Sequence, residues 1–301
     1  MFNKIVVVDQ TGLQDWAIEE LGKFSVNGII NHNDFPNSEE EIINRIQDAE
    51  CVLVSWHTQV TKKVIGACEN LKYIGMCCSL YDDQSSNVDI AFAKKRNITV
   101  KGIRDYGDEG LVEYILSELI RLNKGIGKYQ WKQEPVELTN RKLGIIGFGT
   151  TGRMLAERAK AFQMNVYYFN RSRKEEAEQN GVKFLPLHQL LNEVEIISLH
   201  LPKGTQLLKE KEFKEFGNGK ILINTSLGLT FDELAFKKWI TTEGNFALLD
   251  GDGIGGYGEE FSTYERIIST NLVSGWTKEA KERLSRKVIE NIEAFLEEIS
   301  F

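Results

Sequence analysis

The segment Leu143–Gly152, LGIIGFGTTG, carries the pattern G-x-G-x-x-G at Gly147, Gly149 and Gly152. An apolar strand pattern leads into it. An amphipathic helix pattern, Met154–Phe162, leads out, and a second strand pattern follows at Val166–Phe169. In that setting the first glycine allows a tight turn and the second lets backbone approach a pyrophosphate. The third lets helix and strand pack closely. The helix start then presents free N–H groups and partial positive charge to an anion. Phe148, Thr150 and Thr151 complete this loop. The chemistry expected is the binding of a dinucleotide.

The end of the second strand decides which dinucleotide. It reads Phe169-Asn170-Arg171-Ser172-Arg173-Lys174. A carboxylate there would accept from an adenosine ribose and repel a 2′-phosphate. Asn170 does not repel, and Arg171, Ser172, Arg173 and Lys174 can donate to a phosphate. The expectation is NADP rather than NAD. The competing reading is a solvated basic turn facing Glu175, Glu176 and Glu178.

These loops need a scaffold, and the pattern supplies one. Strand patterns at Lys4–Asp9, Cys51–Ser55, Tyr73–Met76 and Ile98–Lys101 alternate with helix patterns at Glu39–Ala49, Thr61–Ala67 and Val88–Lys95. An apolar helix, Gly110–Leu122, and a loose stretch, Asn123–Asn140, interrupt the rhythm. It resumes with strands at Leu143–Gly147, Val166–Phe169, Glu195–Leu199, Ile221–Asn224 and Ala247–Asp250, with a helix at Phe231–Ile240. A charged amphipathic helix, Thr277–Ser300, closes the chain. Strands separated by helices imply parallel βαβ units. The fold class expected is α/β, with two doubly wound parallel-sheet domains of Rossmann or flavodoxin type and a cleft between them.

The 301 residues suffice for two such cores, and 42% hydrophobic with 27% charged residues is ordinary globular usage. A net charge of −7 argues against nucleic acid or an anionic membrane as partner. No apolar run approaches a membrane span. The N-terminus, MFNKIVVVDQTG, reads as a strand and not as a secretion signal. Cys51, Cys68, Cys77 and Cys78 have no metal-binding spacing and read as buried thiols of a cytoplasmic protein, with no metal expected.

Taken together, the segments resemble the D-isomer-specific 2-hydroxyacid dehydrogenases. They are NVDIAFAKKRNITV (Asn87–Val100), VEY (Val112–Tyr114), the glycine loop through Arg171, ISLHLP (Ile197–Pro202) with Thr205, INTSLG (Ile223–Gly228) and ALLD (Ala247–Asp250). The resemblance implies a substrate domain of residues 1–103 plus 276–301, and a cofactor domain of residues 104–275. It further implies a small-molecule substrate and a homodimer, with Asn123–Asn140, including Trp131, as the dimerisation arm. His200, Pro202 and Thr205 match the adenosine side of the family's cofactor site. Thr225, Ser226 and Asp250 match positions near the nicotinamide.

The family's catalytic set does not carry over. Its carboxylate-binding Arg falls on Leu227, its Glu falls near Gly255, and its acid/base His segment is replaced by NLVSGWTKEA (Asn271–Ala280). Substitutes are sought where strands of the first domain end. His57 titrates near neutrality and is the candidate proton shuttle. Tyr106 and Tyr81 are candidate phenol donors. Ser79 falls where the family binds substrate. Arg104 is a candidate anion anchor, with a salt bridge to Asp105 or Asp108 as its alternative. The run GDGIGGYG, from Gly251, reads as a mobile lid or a flexible loop. Two functions follow. One is an NADP-dependent oxidoreductase with a rebuilt site, reducing C=O or C=N of a small polar substrate. The other is a catalytically silent NADP(H)-binding sensor or scaffold.

Overall fold

The computed structural model describes residues 1–80, 83 and 86–299. It divides into two compact units, residues 1–106 with 277–301 and residues 107–276. Tyr81, a candidate donor, lies outside the described residues.

The first unit runs β1 (Ile5–Val7), α1 (Asp15–Gly22), β2 (Ile29–Asn31), α2 (Glu39–Ile46), β3 (Cys51–Val54), α3 (Lys62–Ala67), β4 (Tyr73–Ser79), α4 (Ile90–Lys95) and β5 (Thr99–Ile103). Its five strands are parallel in the order β2-β1-β3-β4-β5, the flavodoxin-like arrangement. β3 and most of β4 are buried along their length, as a sheet covered on both faces requires. Neither α1 nor β2 is anticipated by the sequence pattern. β2 is a three-residue edge strand, IIN, with Ile30 and Asn31 exposed, too short to show an alternating pattern.

The second unit runs α5 (Asp108–Lys124), β6 (Lys142–Ile146), α6 (Thr150–Ala161), β7 (Asn165–Phe169), α7 (Glu175–Gln179), β8 (Lys183–Phe184) and α8 (Leu187–Glu193). It continues with β9 (Ile196–Leu199), α9 (Glu210–Phe216), β10 (Ile221–Asn224), α10 (Glu233–Ile240), β11 (Phe246–Leu249), α11 (Gly258–Phe261) and β12 (Ile267–Ser269). The seven strands are parallel in the order β12-β11-β10-β9-β6-β7-β8. The order reverses between β6 and β9, and that reversal is the point at which doubly wound sheets bind ligands beyond their carboxyl ends.

The last helix, α12 (Lys278–Glu298), belongs to the first unit. Leu284, Val288, Ile292 and Phe295 recur at helical spacing and are buried with Phe2, Tyr73 and Leu53. Phe295 stacks on Phe2 at 5.7 Å between ring centres, and Asn291 donates to the Gly102 carbonyl at 3.1 Å. Thr277 caps the helix by accepting from the Ala280 amide at 3.0 Å. Trp131 is buried in the core of its own unit, and its indole N–H donates to the Gly219 carbonyl at 3.1 Å. Among the described residues no helix is long and apolar enough to cross a membrane.

Candidate cofactor site

The glycine loop links β6 to α6, and its three glycines face different surroundings. Gly147 has φ +92°, and a Cβ there would sit 2.0 Å from the His200 carbonyl oxygen. Gly152 is equally confined, since its Cβ would lie 2.4 Å from the Gly147 carbonyl. Gly149 differs: a Cβ there would meet nothing within 4 Å. Gly149 is also the N-cap of α6, with no side chain capping the helix. The first intrahelical bond runs from the Arg153 amide to the Gly149 carbonyl, at 3.0 Å. The amides of Thr150, Thr151 and Gly152 precede it and have no acceptor within the helix. The loop is therefore clamped by its outer glycines and left open at the middle one, beside uncapped amides. That is a cradle for an anion.

Neighbouring side chains hold the cradle. Phe148 is buried, lies 4.3 Å from the Tyr168 ring, and donates its amide to Asn170 Oδ1 at 3.2 Å. Asn170 in turn donates to the Ser172 carbonyl at 2.9 Å. The Thr151 hydroxyl donates to Asp108. In the basic turn the cations are not equivalent. Arg173 is bound in two places by Glu178, Nε at 2.6 Å and Nη2 at 2.5 Å, so its guanidinium is occupied. Arg171 is exposed and has no ion pair or hydrogen bond among the described residues.

The other residues matched to the cofactor stand at the same carboxyl edge, after β9, β10 and β11. His200 shares a hydrogen bond with Ser198 at 2.9 Å, and burial pushes its imidazole down to about 4, so the ring is neutral near pH 7. The Thr205 amide donates to the Pro202 carbonyl at 3.1 Å and closes a turn. The Ser226 hydroxyl donates to the Leu199 carbonyl at 3.0 Å and accepts from the Leu201 amide at 3.1 Å, which ties the β9 and β10 loops together. Thr225 is buried, and its hydroxyl has no hydrogen-bond partner among the described residues. An unpaired buried hydroxyl is costly and points to a partner supplied from outside the chain.

Asp250 is held by its own fold. It accepts from the Gly253 amide at 2.8 Å and from the Ser274 amide and hydroxyl at 3.0 and 2.6 Å. The Tyr114 hydroxyl donates to the neighbouring Leu249 carbonyl at 3.1 Å. The first half of the run from Gly251, read as a mobile lid or a flexible loop, is hydrogen-bonded to the neighbouring loops, and Gly255 and Gly256 are exposed. The Gly251 amide donates to Leu272, the Gly228 amide donates to the Asp252 carbonyl, and Ile254 is buried. A Cβ at Gly253 would overlap the Asn224 carbonyl at 1.9 Å. At Gly255, the place of the family's Glu, φ is +61° and a Cβ would lie 3.0 Å from the Leu229 amide. Leu227 is 38% exposed on the β10 loop. One group escapes sequence reasoning altogether. Asp252 is mostly withdrawn from water; burial and the Asp250 charge push its carboxyl up to about 6 against the opposing pull of Lys203. Its only sequence signal is an acid between two glycines just after a strand.

In the first unit, His57, Ser79 and Arg104 follow or end β3, β4 and β5, at the carboxyl edge of adjacent strands. The His57 ring lies 3.7 Å from Trp56 and 4.8 Å from Phe35. Arg104 is exposed and donates from Nε to the Leu80 carbonyl at 2.8 Å. Tyr106 follows Arg104 in the same segment; its ring packs against the core that holds α12, and its carbonyl accepts from Arg283 at 2.8 Å. Below this edge the fully buried Asp9 accepts from the Ser55 amide and hydroxyl, at 2.8 and 2.7 Å, and from Thr58. The thiols are inert: burial pushes Cys77 far up and Cys78 to about 12.

A Rossmann sheet, a glycine cradle at an uncapped helix and an orphaned hydroxyl at the same rim define a dinucleotide-binding protein. The family model for the NAD-binding domain of D-isomer-specific 2-hydroxyacid dehydrogenases matches residues 111–250. Glyoxylate reductase of Thermococcus litoralis is 28% identical, over 84% of this chain and 82% of the relative. Hydroxypyruvate reductase of Blautia hydrogenotrophica is 25% identical, over 97% of each chain. An acyclic imino acid reductase solved with NADPH and D-Arg superposes with a TM-score of 0.82 at 28% identity, covering 98% of this chain and 97% of that one. Residues 111–250 thus carry the NAD-binding domain of the D-isomer-specific 2-hydroxyacid dehydrogenases, and the chain as a whole is similar to reductases of that kind. The cofactor that this family binds is a nicotinamide dinucleotide, and the residues present fit it.

Proposed function

We propose that the protein is an NADP(H)-dependent oxidoreductase that reduces the C=O or C=N bond of a small polar substrate. The observation that carries the NADP preference is the β7 turn, where Asn170 stands in place of a carboxylate and Arg171 is exposed without an ion pair among the described residues. Arg171, Ser172 and Lys174 would receive a 2′-phosphate, with Arg173 restrained by Glu178. The amides of Thr150, Thr151 and Gly152 would take the pyrophosphate, and the Thr225 hydroxyl would gain its missing partner. When bound, the cofactor supplies the hydride; the chain binds, orients and excludes water.

The substrate class follows from Leu227. A leucine cannot balance a carboxylate or donate to a carbonyl, so recognition by the family's 2-oxo acid route is weakened. The imino acid reductase among the structural neighbours supports C=N as an acceptor, and the glyoxylate and hydroxypyruvate reductases support C=O. We further propose that the carboxyl edge of the first unit takes the substrate, with Arg104 and Ser79 as anchors and His57 as proton shuttle. The Tyr106 ring is committed to packing, which makes it the weaker of the two sequence-derived donors. A homodimer is proposed on the family's habit.

A panel of oxo acids, aldehydes and preformed imines with NADPH tests this reading. Turnover on at least one class, reduced by His57→Ala, is expected. NADPH binding without turnover across the panel would instead favour the sensor function, for which the missing Arg, Glu and His are the argument.

A further inference from the structure

We propose that Asp252 is the proton-binding group of the cofactor crevice, with its ionisation linked to the oxidation state of the nicotinamide. The proposal rests on the dinucleotide reading above and goes beyond it. The Asp252 backbone is pinned, because its carbonyl accepts from the Gly228 amide at 3.0 Å and from the Gly255 amide at 3.2 Å. Gly253 beside it packs against the Asn224 carbonyl with no room for a side chain. The residue is therefore held beside the end of β10, on the loop that follows β11.

The charged groups that act on it come from those two loops: Asp250 after β11 and Lys203 after β9. Asp250 is occupied by three donors of its own fold. Asp252 has no side-chain hydrogen bond or ion pair among the described residues, although it is mostly shielded from water. Its burial and the Asp250 charge bring its titration to about 6. A second feature of the same rim, the buried and unpaired Thr225 hydroxyl, points independently to a ligand there.

The chemistry is one of charge balance. A nicotinamide ring carries a positive charge when oxidised and none when reduced. A carboxylate beside it favours the oxidised form, and a neutral carboxylic acid removes that preference. Were the bound cofactor to supply its hydride to the carbon of C=O or C=N, Asp252 in its acid form would give up its proton and become a carboxylate that offsets the charge of the oxidised ring, and the heteroatom of the substrate would take up one proton, so that atoms and charge balance.

The test needs no turnover. Dissociation constants of NADP+ and NADPH are measured by calorimetry from pH 5.5 to 8.5, with wild type, Asp252→Asn and Asp252→Glu. The 2′-phosphate titrates in both ligands and cancels in their ratio. For wild type the ratio of the NADP+ constant to the NADPH constant should fall about tenfold or more as pH rises, one pKa unit being tenfold. Asp252→Asn should flatten the ratio and Asp252→Glu should restore a slope. A flat wild-type ratio, or a slope that survives Asp252→Asn, overturns the proposal while leaving the cofactor reading intact. Failure of either ligand to bind overturns both. Should Asp252→Asn not fold, the difference between the protons taken up by wild type on binding NADPH and on binding NADP+, each read as the dependence of heat on buffer ionisation, decides the matter, and a zero difference at pH 6.5 refutes it.

Discussion

Replacing each fingerprint glycine by alanine separates what the glycines do for the fold from what they do for the ligand. At Gly147 an alanine must adopt φ +92° and place its Cβ 2.0 Å from the His200 carbonyl. The backbone strain is worth about 1–3 kcal/mol, and the forced separation of the β6 and β9 ends a similar amount. A loss of about 3 kcal/mol or more is expected, which is roughly 6–12 °C in Tm for a unit of this size. Gly152→Ala, with its Cβ 2.4 Å from the Gly147 carbonyl, should lose about 1–3 kcal/mol. At Gly149 the Cβ meets nothing, φ is −84° and ψ is −155°, so the ligand-free protein should melt within about 2 °C of wild type. The same methyl group occupies the anion cradle. NADPH at a hundred times its dissociation constant should raise the wild-type Tm by roughly 5–10 °C, from about 2.7 kcal/mol of linkage, and should raise that of Gly149→Ala hardly at all. A Gly149→Ala protein with the wild-type ligand shift, or one as unstable as Gly147→Ala, would refute the reasoning.

Other expectations follow from the same geometry. Arg171→Ala should weaken NADPH about tenfold and leave NADH unchanged, whereas Arg173→Ala, whose guanidinium Glu178 already holds, should do less; fluorescence titration distinguishes them. Asn170→Asp should shift preference toward NADH by about tenfold or more through repulsion of the 2′-phosphate, read as the ratio of the two affinities. His200 binds its proton less readily folded, at about 4, than unfolded, near 6.5. Stability present above 6.5 is therefore lost as pH falls toward 4, by at most about 3 kcal/mol, and His200→Gln should remove that dependence in melts at pH 7.5 and 5. For Asp252 the sign is opposite, because its folded value of about 6 lies above the ordinary 3.8. Stability present below 3.8 is lost as pH rises through 6, so Asp252→Asn should be more stable than wild type at pH 8, by about 1–3 kcal/mol, and equal to it at pH 4.

The parts of the site readable in the sequence are those whose cause is local. The Leu143–Gly152 segment announces itself because strand, turn and helix lie side by side, and Gly147 and Gly152 answer to the adjoining strand end or to atoms a few residues away. Asn170 and the basic residues after it are legible for the same reason. What escapes is fixed by distant partners. The burial of Asp252 depends on Gly253 seated against Asn224, twenty-nine residues earlier, and on Gly228 reaching back to its carbonyl. The glycines of that run read as freedom, yet Gly251 and Gly253 are there because neighbouring backbone leaves no space for a side chain. The apolar stripe of α12 is plain in the sequence, but its docking against Phe2 and Tyr73 is a tertiary choice. β2 is invisible because a short edge strand needs no buried face.

Selection of the phosphorylated cofactor by the turn after β7, beside the glycine cradle, is the central claim of the proposed function. Side-by-side calorimetric titration of the purified protein with NADPH and NADH, at one salt concentration and pH 7.5, addresses that claim directly. NADPH should bind at least about tenfold more tightly than NADH, with the difference abolished in Arg171→Ala. Equal affinities, or a preference for NADH, would contradict it.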